Sequence, residues 1–181
     1  MTTAGLSAED TMKEIMDALP GGKRALFARY HLGGCSSCAF SDDETLAELC
    51  KRSEIDADEV LAHLLASHEH DEKMLIGAAE AKRRIDAGEE ILLIDVRTRE
   101  EHEAVVIPGS EFFTQESQQK FFAMDPATVI VLYDHLGRGV LDQVAWFRGH
   151  AMQETYGLRG GIDAWSKEAD ASVKRYRLEV D

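Results

Sequence analysis

The apolar positions of this chain obey one spacing before about residue 66 and another after it. In the first stretch they recur as on helices. Met12, Ile15, Met16 and Leu19 fall on a single stripe, which predicts a short helix ended by Pro20-Gly21-Gly22. Ala25, Leu26, Tyr30 and Leu32 predict a second helix, stopped by Gly33-Gly34. A third is expected with Asp42 or Asp43 as its cap and Leu46, Leu49 and Cys50 facing inward. A fourth has Asp56 as N-cap, Glu59 three residues later to complete a capping box, and Val60, Leu61, Leu64 and Leu65 buried. The expectation is a small all-α bundle over residues 1–66, with a core that is marginal for its size.

The polar run Ser67-His68-Glu69-His70-Asp71-Glu72 reads as a linker, residues 67–72. Over 73–181 short apolar runs alternate with helical patterns. Strands are predicted at 73–76, 90–96, 111–113, 128–133 and 155–158, and helices at 78–87, 100–105, 115–123, 139–154 and 161–169. The runs ILLID and TVIVLY are continuously apolar, as in strands buried on both faces of a parallel sheet. The second domain is therefore predicted to be α/β, with a five-stranded, mostly parallel sheet. Phe112, Phe113, Phe121, Phe122, Trp146 and Trp165 are assigned to its core.

Charge removes several functions. Twenty Lys and Arg against thirty-four Asp and Glu leave a net charge of −14 over 181 residues. Such a surface repels polyphosphates and anionic headgroups, so neither nucleic acid nor a membrane is expected as a partner. No apolar run nears the roughly 20 residues that span a bilayer. The first twenty residues mix Glu9, Asp10, Lys13, Glu14 and Asp17 into the apolar positions, unlike a signal peptide. A cytoplasmic protein is expected.

There are three cysteines, two of them spaced as Cys35-x-x-Cys38. In a reducing compartment that spacing points to redox or metal chemistry rather than to a structural staple. Cys35 and Cys38 can form a disulfide, receive a persulfide, or hold a metal or iron–sulfur cluster. Zinc and iron–sulfur sites want four soft ligands; the chain supplies three, with His31 a candidate fourth. Cys50, on an apolar helix face, reads first as a buried thiol. His63, His68, His70 and Asp71 form a second, weaker candidate metal cluster.

The second domain carries a family resemblance. Ile94-Asp95-Val96-Arg97, Glu101 and Ile107-Pro108-Gly109-Ser110, then TVIVLY, Gly137 and the block Leu158-Arg159-Gly160-Gly161-Ile162-Asp163-Ala164-Trp165 resemble rhodanese-like domains in the right order. The resemblance implies helices on both sheet faces and a candidate active site in the loop after TVIVLY, where active members carry a cysteine inside a nest of backbone N–H groups. Here the loop reads Asp134-His135-Leu136-Gly137-Arg138-Gly139, so Asp134 takes the cysteine position and the loop is vestigial. Gly139 replaces the basic or hydroxyl residue usual at the loop's end, and Val105-Val106 replace a Gly-His pair. Asp95, Arg97 and Glu101 are assigned to scaffold, with Arg97 between the two carboxylates.

The first domain resembles, over residues 10–66, a small helical module found at the front of di-iron repair proteins and beside disulfide oxidoreductases associated with hybrid-cluster proteins. Cys35, Cys38, Glu44, Thr45, Leu46, Cys50 and Ile55-Asp56-Ala57-Asp58 carry that resemblance. Together the two resemblances imply a catalytically silent rhodanese-like protein that works as a redox- or sulfur-linked binding and regulatory module, with a protein or a thiol or persulfide carrier as partner. The alternatives are a sulfurtransferase or thiol oxidoreductase acting through Cys35 or Cys38, and a metal or iron–sulfur carrier.

Overall fold

The computed structural model describes residues 5–34 and 39–177, which divide into a unit ending at Lys73 and a unit starting at Met74. The first contains α1 (Met12–Ala18), α2 (Gly22–Tyr30), α3 (Leu46–Arg52) and α4 (Ala57–Glu72). Thr11 and Thr45 begin α1 and α3 with full capping boxes, closed by Glu14 and Glu48. The two threonines face each other across an isolated antiparallel bridge. Met12 N–H donates to Glu44 O at 2.7 Å and Leu46 N–H to Asp10 O at 3.2 Å. The cap of α3 is thus Thr45, not Asp42 or Asp43, because only Thr45 stands three residues before a glutamate that can return the bond. Asp56 does cap α4, accepting Glu59 N–H at 2.9 Å. Its box stays half formed, since the Glu59 carboxylate accepts from Arg29 at 2.8 Å and from Tyr30 at 3.2 Å.

Met12, Ile15, Leu19, Leu26, Leu46, Leu49, Cys50, Val60 and Leu64 form one buried cluster. Residues 67–72, expected as a linker, are instead the last turns of α4. The reason is Asp71, two turns beyond Leu64 on the same inner stripe. Its side chain is buried, and Arg24 Nη2 donates to its Oδ1 at 2.6 Å. An ion pair keeps a polar run on a packed helix face.

The second unit runs β1 (Leu75–Ile76), α5 (Ala78–Asp86), β2 (Ile91–Asp95), α6 (Arg99–Ala104), β3 (Glu111–Phe112), α7 (Gln115–Phe122), β4 (Val129–Tyr133), α8 (Val140–Gly149), β5 (Thr155–Leu158) and α9 (Gly161–Glu168). Its five-stranded sheet has the order β1-β5-β4-β2-β3, and every strand pairing among the described residues is parallel. Strand alternation explains the apolar runs. Leu93, Val131 and Tyr133 face a core shared with α5 and α9, while Ile94, Ile130 and Leu132 face a core shared with α7 and α8. The central strands β2 and β4 fill two cores at once, which keeps their middle positions apolar.

Phe121 and Phe147 are fully buried in the second of these cores, with Phe113, Phe122 and Trp146 packed at its edge. α8 ends at Gly149, earlier than the periodicity predicts. Ala151 takes a left-handed φ of 70° and Met152 N–H closes back on Phe147 O at 3.2 Å, so Met152 reaches the core from a turn rather than from the helix.

Candidate functional site

The carboxyl ends of parallel strands are where α/β folds present their chemistry, and here β4 ends in a braced residue. Tyr133 is buried; its hydroxyl lies 2.8 Å from Ser110 Oγ and receives Ile107 N–H at 3.4 Å. Burial pushes its phenol up to about 12. The Ile-Pro-Gly-Ser block thus anchors the strand end that launches the loop.

That loop, residues 134–139, curls around the side chain of its first residue. The Asp134 carboxylate accepts the N–H of Gly137 through Oδ1 and the N–H of Gly139 through Oδ2, the latter at 2.8 Å. Two backbone donors turned to one point form an anion nest, and in this chain the loop's own carboxylate fills it. Gly137 has a φ of 74°, and a Cβ there would fall on Gly160 N. The loop also docks on the start of α9, with Ile162 N–H donating to Asp134 O at 3.0 Å and Asp163 N–H to His135 O at 3.2 Å. Gly161 permits this approach, since its Cβ would strike Asp134 O. Gly137→Ala is expected to destabilise the protein by about 1–3 kcal/mol, with Asp134→Ala as the milder comparison in thermal unfolding.

Beside the loop lies an open cleft of about 490 Å³, lined by Val96, Arg97, Thr98, Glu101, Asp134, His135, Leu136 and Arg138. Leu136 is 43% exposed at its rim. Its far wall rests on a buried ion pair. Arg97 donates from Nε to Asp95 Oδ1 at 2.8 Å and from Nη2 to Asp95 Oδ2 at 2.6 Å, and Nη2 also reaches Val105 O at 2.7 Å. Both side chains are at most 1% exposed. His102 Nδ1–H adds a bond to Asp95 Oδ2 at 2.8 Å. Burial alone would raise the Asp95 carboxyl, but the hydrogen bonds from Arg97 and His102 outweigh it and hold the group below its ordinary range. Glu101 does not touch Arg97 as expected. It is reached through Tyr176, whose hydroxyl donates to Glu101 Oε1 at 2.5 Å and accepts from Arg97 Nη1 at 2.8 Å.

The structure therefore gathers Asp134, His135, Leu136 and Arg138 at one cleft and assigns Gly137 and Gly139 the role of amide donors. Cys50 belongs to the first unit, 1% exposed within the helical core. Burial, then the Asp56 charge, pushes its thiol up, which disfavours the thiolate that redox or metal chemistry uses. Cys35 and Cys38 lie outside the described residues. His31 is an exposed left-handed C-cap of α2.

The cluster of His63, His68, His70 and Asp71 is not a metal site. His68 lies off the face that carries His63, His70 and Asp71, His63 Nε2–H donates to Ala25 O at 3.2 Å, and Asp71 is held by Arg24. No group of three or more potential ligands converges among the described residues. Nor is any helix among them long and apolar enough to cross a membrane. Sequence reasoning missed His102 and Tyr176; neither lies on a periodic stripe or in a motif.

A family model described as "Rhodanese-like domain" matches residues 77–168. No curated protein matches the chain. Similar solved structures include a rhodanese-like domain protein from Staphylococcus aureus, 17% identical over 57% of this chain and 98% of that one, with a TM-score of 0.47. The human single-domain sulfurtransferase TSTD1 is 20% identical over 52% of this chain and 96% of that one, with a TM-score of 0.45. The rhodanese-like domain of an Anabaena protein is 20% identical over 60% of this chain and 87% of that one, with a TM-score of 0.48.

Proposed function

The chain belongs to the rhodanese-like domain family, and from that premise we propose that its second unit is a catalytically silent member, a pseudoenzyme, in which Asp134 stands at the position of the sulfur-carrying cysteine. The observation that carries this reading is the pairing of the Asp134 carboxylate with Gly137 N–H and Gly139 N–H. A carboxylate cannot hold sulfane sulfur. It also satisfies the donors that would receive an anionic sulfur donor, and places its own negative charge at that point. The cleft beside it, with Arg138 and Leu136 at its mouth, then serves binding rather than turnover. With Cys35 and Cys38 in the helical module, the whole protein is a redox- or sulfur-linked binding and regulatory module of the cytoplasm, engaging a protein or a thiol or persulfide carrier.

Thiosulfate tests the claim. The wild type is expected to show no saturable binding of thiosulfate by calorimetry and only background sulfurtransfer to cyanide. Asp134→Ala removes the resident anion while the two amides stay in place, so saturable thiosulfate binding should appear, still without turnover. Wild-type sulfurtransfer above background would overturn the silent reading.

A further inference from the structure

The segment after α9, residues 170–177, contains neither helix nor strand and lies beyond the family match, which ends at residue 168. It is nevertheless fastened along its length. Val173 is buried in the core beneath α9, its carbonyl accepts the Ser166 hydroxyl, and Arg175 Nε donates to Asp163 Oδ1 at 2.6 Å. These anchors deliver Tyr176 to the cleft. Its ring stacks on His135 with centroids 4.2 Å apart and planes 15° from parallel. Its carbonyl accepts His135 Nε2–H at 3.2 Å, and its hydroxyl links Glu101 to Arg97.

His135, Glu101 and Arg97 all line the cleft, yet they come from different walls: His135 from the loop after β4, Arg97 and Glu101 from the turn after β2 and from α6. One residue meets both walls, by its hydroxyl on one side and by its ring and main-chain carbonyl on the other. The geometry points to Tyr176 as the positioning residue of the cleft, a clasp that ties the 134–139 loop to the turn after β2 and fixes the opening between them. The ring and carbonyl hold the loop through His135, next to Asp134; the hydroxyl holds the opposite wall. None of these contacts uses the Asp134 carboxylate, so the inference goes beyond the silent-pocket reading and stands or falls separately from it.

Amide exchange and histidine NMR on the full chain test it. In Tyr176→Ala the Gly137 and Gly139 amides should exchange at least about tenfold faster, the equivalent of one hydrogen bond's net contribution. The His135 ring protons should lose the shift imposed by the stacked phenol. Every variant keeps the backbone carbonyl; Tyr176→Phe also keeps the ring and loses only the hydroxyl, so it should preserve the His135 shift while loop exchange rises by less than in the alanine variant. Tyr176→Leu carries the same test as alanine should that variant fail to fold. Unchanged loop exchange in the alanine or leucine variant overturns the proposal. So does equal acceleration at Val131 and Leu132 in β4, which would mean general loosening of the unit.

Discussion

Replacing Arg97 with methionine is expected to remove about 3–5 kcal/mol of stability at neutral pH, the usual consequence of leaving one partner of a buried ion pair behind. Asp95 is fully buried and would keep only its bonds from His102 and from the Arg97 backbone N–H. The double variant Asp95→Leu with Arg97→Met should be less damaged than the single one, since replacing both charges leaves no buried charge stranded. Both tryptophans, Trp146 and Trp165, lie in the second unit, so urea unfolding followed by their fluorescence reads the right part of the molecule.

The pH dependence adds a second check. In the wild type the Asp95 carboxyl is held below its ordinary value. Its contribution is therefore fully present above the unfolded value of about 3.9 and is lost as pH falls through the lower folded value. In Arg97→Met burial acts on Asp95 without the guanidinium to outweigh it, and protonation relieves the stranded charge. The gap between variant and wild type should therefore narrow as pH falls from 7 toward about 4. A gap below about 1 kcal/mol at pH 7 would show that this pair does not support the cleft wall.

Much of the second unit was legible because its central strands fill two cores at once. ILLID and TVIVLY have no polar interruption since Leu93 and Ile94, or Val131 and Leu132, point to opposite sides of one sheet. The motif glycines were legible as a signature, and the structure supplies their reason: Gly161 lets the loop after β4 dock on α9.

The buried polar groups that stayed hidden share one cause, a partner distant in sequence. Asp71 looked like linker because its buried partner, Arg24, lies 47 residues earlier. Glu101 was paired with Arg97 by proximity, whereas the actual bridge is Tyr176, 75 residues beyond Glu101. A tyrosine in the run Lys174-Arg175-Tyr176-Arg177 has no stripe and no motif to mark it. That the Asp134 carboxylate fills the nest is a matter of backbone torsion at Gly137, which no spacing rule reports.

On the proposal of a silent pocket, Asp134→Cys should make the pocket reactive. Cysteine places Sγ close to where the Asp134 Cγ now lies, one bond short of the oxygens that meet Gly137 N–H and Gly139 N–H. Sulfur is larger and accepts over longer distances, so a thiolate there still lies within reach of both donors. In a persulfide the outer sulfur, about 2.05 Å further on, extends past the present oxygen positions toward the cleft. The nest therefore favours the charged states of both species. The thiol should ionise below the ordinary value of about 8.5, and its alkylation by iodoacetamide at pH 7 should exceed that of a free cysteine.

The measurement is best made with Cys35 and Cys38 both changed to serine, which leaves buried Cys50 as the one other thiol in the sequence. On incubation with thiosulfate the thiolate attacks its outer sulfur and sulfite leaves, so mass spectrometry should then show one added sulfur on the peptide containing residue 134, and none on that peptide in the Asp134 parent. A folded variant whose new thiol ionises at 8.5 or above and takes no sulfur would show that these two amides do not make a sulfur site. The proposal that Asp134 alone keeps the pocket silent would fall with it.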